Sequence, residues 1–138
     1  MITTRRQMLW ATAAIATAIA VPMRALAQAD EAIEAYTGGA EAGSEGITLT
    51  APEIAENGNT VPIEVEAPGA SEIAIYAAGN PVPDVGVFKF GALAASQLAS
   101  TRIRLAGTQD VIAIAKMPDG TYLRAQQEVK VTIGGCGG

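Results

Sequence analysis

The chain has 138 residues, with fourteen acidic and nine basic side chains, one cysteine, no histidine and a net charge of −5. That balance repels phosphate backbones and acidic lipid headgroups, which argues against nucleic-acid and membrane-surface functions. With one cysteine, no histidine and no glycine-rich nucleotide loop, the sequence offers no evident site for a metal or a cofactor.

The chain opens "MITTRRQMLWATAAIATAIAVPMRALAQADE". Arg5 and Arg6 form a twin-arginine pair, an Ala-rich apolar run extends from about Leu9 to Val21, and Ala25-Leu26-Ala27 supplies small residues for cleavage. This is the plan of an export signal on the twin-arginine route. The run is too short for a comfortable membrane span, which needs about 20 apolar residues. Residues 1–27 are therefore expected to be a signal peptide, with the mature chain starting at Gln28 in the periplasm. It then holds six basic against fourteen acidic residues, a net charge of −8. The twin-arginine route carries folded proteins, most of them loaded with a cofactor. With no evident cofactor here, the expected reason for folding first is a partner subunit carried out with this one.

Residues 28–45 begin "QADEAIEAYTGGAEA", with Ala32, Ile33 and Tyr36 on one helical side and Gly38-Gly39 as a stop. A short helix is expected, loosely docked or frayed. From Gly46 the periodicity becomes two. "ITLT" is short and β-branched, and Asn57-Gly58 marks a turn. "VPIEVEA" places Val61, Ile63, Val65 and Ala67 on one face and Glu64 and Glu66 on the other. "SEIAIYA" repeats this with Ile73, Ile75 and Ala77. "NPVPDVGVFKFG" starts with a proline-stiffened turn, then alternates Phe88 and Phe90 against Val87 and Lys89; it is a candidate partner edge as well as a plain core strand. "STRIRLA" sets Ile103 and Leu105 opposite Arg102 and Arg104. "DVIAIAKM" is apolar on both faces, the mark of a central strand. A turn at Pro118-Asp119-Gly120 leads to "TYLRAQQ", and "EVKVTI" closes the domain with Val129, Val131 and Ile133 inward.

Seven or eight short strands at intervals of about ten residues predict an all-β fold, an immunoglobulin-like antiparallel β-sandwich over residues 46–133. The fold would carry a short N-terminal helix and a flexible Gly-rich C-terminal arm, residues 134–138. The core must be Val, Ile, Leu and Ala, because only 4% of residues are aromatic.

The chain ends "VTIGGCGG", with Cys136 between Gly134-Gly135 and Gly137-Gly138. An arm hung from Ile133 reaches about 10 Å to the cysteine. Catalytic thiols need a histidine, a basic cluster or a helix N-terminus to favour the thiolate. None is near, and the carboxylate of Gly138 works against it. Cys136 is thus a poor catalyst but a good attachment point on a thin rope that could thread a narrow channel. An incidental tail, an intermolecular disulfide and a carrier thiol all fit a lone exported cysteine. Arg102 and Arg104 could hold a sulfur oxyanion, or simply form a solvated strand face.

The twin-arginine leader, "ENGNTVPIEVEA" (56–67), "NPVPDVGVFKF" (80–90), "STRIRLAGTQDVIAIAKMPDG" (100–120) and above all "VTIGGCGG" resemble the SoxY family, the sulfur carriers of the periplasmic thiosulfate-oxidising (Sox) system. The resemblance implies an immunoglobulin-like sandwich without catalytic residues, metal or cofactor of its own. It implies covalent sulfur attachment at Cys136 and flexibility from Gly134, Gly135, Gly137 and Gly138. It also implies a heterodimer, or a heterotetramer, with SoxZ, a small β-sandwich subunit without its own signal. Transient partners would be the haem enzyme SoxAX, which joins thiosulfate to the cysteine; the di-manganese hydrolase SoxB, which releases sulfate; and the sulfane dehydrogenase SoxCD.

Overall fold

The computed structural model describes residues 20–132 of the chain. It holds one helix, α1 (Ala20–Thr37), and nine strands: β1 (Ala42–Gly43), β2 (Thr48–Thr50), β3 (Ile54–Ala55), β4 (Val61–Glu66), β5 (Glu72–Ala77), β6 (Asp84–Lys89), β7 (Leu98–Ile103), β8 (Gln109–Lys116) and β9 (Tyr122–Val131). A six-stranded sheet runs β1-β9-β8-β5-β6, with β3 also paired to β9, and faces a three-stranded sheet in the order β2-β4-β7.

The inner faces follow from alternation. In β4, Val61, Ile63 and Val65 are buried while Pro62, Glu64 and Glu66 are exposed. Pro62 sits where β4 pairs with β7 but β2 has ended, so its missing N–H costs least. Opposite, β5 contributes Ile73, Ile75 and Ala77, and β8 contributes Val111, Ala113 and Ala115. Ile103, Leu105 and Val129 complete this core. Each large aliphatic side chain buried here stabilises the fold by about 1.5–3 kcal/mol. The expected inward sets of β4 and β5 and the pair Ile103 and Leu105 are found; of the set expected for the last strand, Val129 is buried, Val131 is half-buried against the core, and Ile133 lies outside the described residues.

The outer face of the large sheet corrects the expectation of a loosely docked helix. Strands β5 and β8 are apolar on this side too, through Ala74, Tyr76, Ile112 and Ile114, and α1 covers them with Ala29 and Ile33. The buried positions 29, 33 and 37 fall one turn apart and make a single stripe. Tyr36 stands edge-on to Tyr76 and Tyr122, with ring centroids 6.5 and 5.9 Å away. Its hydroxyl donates to Glu72 Oε1 at 2.7 Å, and Tyr122 Oη donates to the Tyr36 carbonyl at 3.3 Å. Burial, then the Glu72 hydrogen bond, holds the Tyr36 phenol far above its ordinary range; burial, then the charge of Asp84, pushes Tyr76 up to about 12. The helix ends as the glycines require. Gly38 and Gly39 take φ of 68° and 84°, and Gly39 N–H donates back to the Glu34 carbonyl at 3.2 Å.

The strand count differs from the expected seven or eight for two reasons. "TYLRAQQ" and "EVKV" form one ten-residue strand, β9, paired with β8 from Tyr122 to Val129. The two-residue strands β1 and β3 are additional, and both pair with β9 in parallel, so the fold is antiparallel except along one margin of that strand. Strand β6 is an edge, with Val85 37% and Val87 48% exposed and Val82 before it 69% exposed.

Candidate functional site

The root of the C-terminal segment

Strand β9 lies inside its sheet, between β8 and the margin strands, and its far end is the last described part of the chain. Three consecutive backbone N–H groups fix that end. Lys130 donates to the Glu53 carbonyl at 2.9 Å, Val131 to Thr108 Oγ1 at 3.0 Å, and Thr132 to the Ala55 carbonyl at 3.1 Å. The donors alternate between the β3 side and the β8 side, so the chain is held from both flanks up to Thr132. Val129, just before, is fully buried and stands opposite Gln109.

A polar network braces the loops beside this end. Gln109 is 8% exposed, and its Oε1 accepts from Gly79 N–H at 2.9 Å. Its Nε2 donates to Asn80 Oδ1 at 2.9 Å and to the Gly107 carbonyl at 3.0 Å. Asn80 in turn accepts from Ala106 N–H at 2.9 Å and donates to the Arg104 carbonyl at 2.8 Å. The segment after β5 is thereby tied to the segment that joins β7 in the small sheet to β8 in the large one. Gly79 has no room for a side chain, since a Cβ there would lie 2.9 Å from Gln109 Cβ. No buried side-chain nitrogen or oxygen among the described residues lacks a partner.

Arg102 lies on β7 opposite Pro62, and Arg104 follows that strand in the segment leading to Gln109; both side chains are exposed. The Arg104 carbonyl accepts from Asn80 in the network beside the far end of β9. Ala25 and Ala27, the expected cleavage residues, lie within α1. Arg5 and Arg6, and the terminal set Ile133, Gly134, Gly135, Cys136, Gly137 and Gly138, fall outside the described residues. Among the described residues no group of His, Cys, Asp or Glu could hold a metal ion.

Sequence reasoning did not find Glu53, Ile54, Thr108, Asn80 or Gln109. Backbone carbonyls leave no trace in residue identity. Asn80 and Gln109 look like ordinary turn and strand-start polar residues until the fold brings them together across 29 positions.

The comparisons bear on this arrangement. The family model "Sulfur oxidation protein SoxY" matches residues 33–136. Among solved structures, the sulfur carrier protein SoxY of Chlorobium limicola f thiosulfatophilum is 35% identical, with a TM-score of 0.68 over 78% of this chain and 94% of that one. Superoxide reductases share the fold alone. That of Ignicoccus hospitalis is 19% identical, with a TM-score of 0.56 over 64% of this chain and 81% of that one. That of Archaeoglobus fulgidus is 11% identical, with a TM-score of 0.50 over 66% and 94%. A search of the curated proteins finds no match. With the family model spanning most of the sequence, and with the Chlorobium carrier matched over nearly its whole length, the chain belongs to the SoxY family of sulfur oxidation proteins.

Proposed function

We propose that this chain is a non-catalytic covalent carrier, holding sulfur intermediates on Cys136 during thiosulfate oxidation in the periplasm. The observation that carries the reading is the pinning of β9 through Thr132, four residues before the family's terminal cysteine. A fixed base with glycines beyond it suits a thiol that several enzymes must reach.

The chemistry balances without any base in the carrier. Loading joins the Cys136 sulfur to the outer sulfur of thiosulfate, releases the thiol proton and passes two electrons to the oxidising enzyme, SoxAX. Hydrolysis by SoxB then adds water across the S–SO₃ bond. It releases sulfate and two protons and leaves a persulfide anion on the cysteine. SoxCD, where present, oxidises that remaining sulfur. Each enzyme supplies its own activation, so the carrier needs no histidine, and a second cysteine would only trap the thiol as a disulfide.

SoxZ is the proposed stable partner, exported with this chain by its Arg5-Arg6 signal. The edge of β6, which pairs only with β5 among the described residues and has Val82, Val85 and Val87 exposed, supports a partner subunit at that margin. Deleting Arg5 and Arg6 should leave both chains in the cytoplasm; export of SoxZ without this chain would refute shared export.

The deciding measurement is the intact mass of the protein from thiosulfate-grown cells, with the terminal peptide fragmented. Sulfur adducts on Cys136 that a reductant removes are the expected result. A bare thiol in every preparation, or only a disulfide-linked dimer, would overturn the carrier reading. Cys136→Ser should fold and bind SoxZ but stop thiosulfate-dependent electron transfer in the reconstituted system.

A further inference from the structure

The surface around the root of β9 carries more than the fold requires. Ile54 is the middle residue of the clamp, between the Glu53 and Ala55 carbonyls that hold Lys130 and Thr132. Its side chain is not in the core but 59% exposed. It borders a shallow depression whose other walls are Glu53, Gln127, Glu128 and Lys130, all on β9 or the segment leading into β3. An aliphatic side chain ringed by charged groups, two of them acidic, is thus presented beside the last described residues of the chain.

The length of chain beyond that point decides what can meet this surface. Cys136 is four residues past Thr132, which at full extension is a reach of about 13–14 Å. An active site that excludes water around a reacting sulfur lies below an enzyme's surface. To bring the sulfur to the floor of such a channel, the enzyme's mouth must close on the end of the sandwich itself. The tail spends its whole length inside, and the rim lands on the residues around Thr132.

We infer that Ile54, with Glu53 and Glu128 at its sides, is the docking contact for the channel mouths of enzymes that take the carrier tail. The inference rests on the carrier reading above and adds to it a recognition surface on the folded domain. The complementary rim has an apolar seat for Ile54 and basic groups facing the two glutamates. Attraction of that kind speeds encounter and weakens with salt, as a carrier that visits enzymes in turn requires. Contact through one exposed aliphatic side chain keeps each complex short-lived.

The test is steady-state thiosulfate oxidation with the host's purified Sox enzymes, varying the concentration of full-length mature carrier in complex with SoxZ. Ile54→Lys and the milder Ile54→Ser should raise the KM for carrier, the former by about tenfold or more, while kcat stays within about twofold. Glu53→Lys combined with Glu128→Lys should raise KM and flatten its dependence on salt. These side chains are exposed, so unchanged thermal unfolding is expected and checks that the variants are folded. A synthetic peptide of residues 131–138 should be a far weaker substrate than the whole carrier. An unchanged KM in the Ile54 variants, or a peptide as efficient as the full chain, would overturn the docking surface while the carrier role stood. Failure of the unaltered carrier to accept sulfur would overturn both.

Discussion

The two ends of β9 are secured by the same device and covered differently. Each is flanked by a two-residue parallel strand, β1 at Tyr122 and Leu123 and β3 at Lys130 and Val131. The first end is closed over. Tyr122 lies under α1 in a cluster of three tyrosines, and Leu123 packs against the core. The second end is left bare, with Ile54 exposed and charged side chains around it. Strand pairing alone therefore does not mark an end as structural or functional. What covers it does.

The contrast predicts that changes near the helix-covered side read out as stability, and changes at the bare end as turnover. The largest stability effect is expected from Ile114→Ala, at a fully buried position beneath α1: a loss of about 2–5 kcal/mol by denaturant unfolding. Sulfur transfer by the protein that remains folded should be normal. A slowed transfer would show that the two ends are coupled. Gly79→Ala should cost about 1–3 kcal/mol, because Gln109 must yield to a Cβ at 2.9 Å and loosen its bonds to Asn80 and Gly107.

Tyr36→Phe should cost about 0.5–1.5 kcal/mol through the hydrogen bond to Glu72. It also tests the alkaline limb of stability. Tyr36 and Tyr76 keep their protons in the folded state above the ordinary tyrosine value of about 10. Above that pH the unfolded chain binds fewer protons than the folded one, so stability falls as pH rises. A stability–pH profile should show Tyr36→Phe with a shallower decline past pH ~10 than the unaltered protein. The smallest stability effect, within about 0.5 kcal/mol, is expected when Gly135 or Gly137 is replaced by leucine, while turnover slows clearly. A large fall in melting temperature there would refute the expectation of a flexible C-terminal arm.

The sandwich was legible because alternation carries direction. Val61, Ile63 and Val65 against Glu64 and Glu66 can face a core in only one way, and the double-sided apolarity of β8 announced a cover on each face. The sequence did not say what the second cover was. Ala29 and Ile33 make a narrow stripe of small and medium side chains, and its binding strength comes from the sheet beneath it rather than from the helix. Strands β1 and β3 were invisible because two residues hold no period. The terminal cysteine motif stood out by composition alone, whereas its footing at Thr108, Glu53 and Ala55 depends on carbonyls and a hydroxyl that only the fold assembles.

The position of β9 has a consequence for the order of events in synthesis. It is the last of the described strands in the sequence, yet it is the neighbour of strands from the beginning of the domain, Ala42 meeting Tyr122 and Ile54 meeting Lys130. The tyrosine contact that seals the helix spans 86 residues. Until β9 emerges from the ribosome, β8 has an open edge, and the helix has only part of its bed. Closure of the sandwich therefore rests on contacts of long sequence separation, the kind that slow folding. The export proposed above, which takes folded chains, would have to wait for that closure.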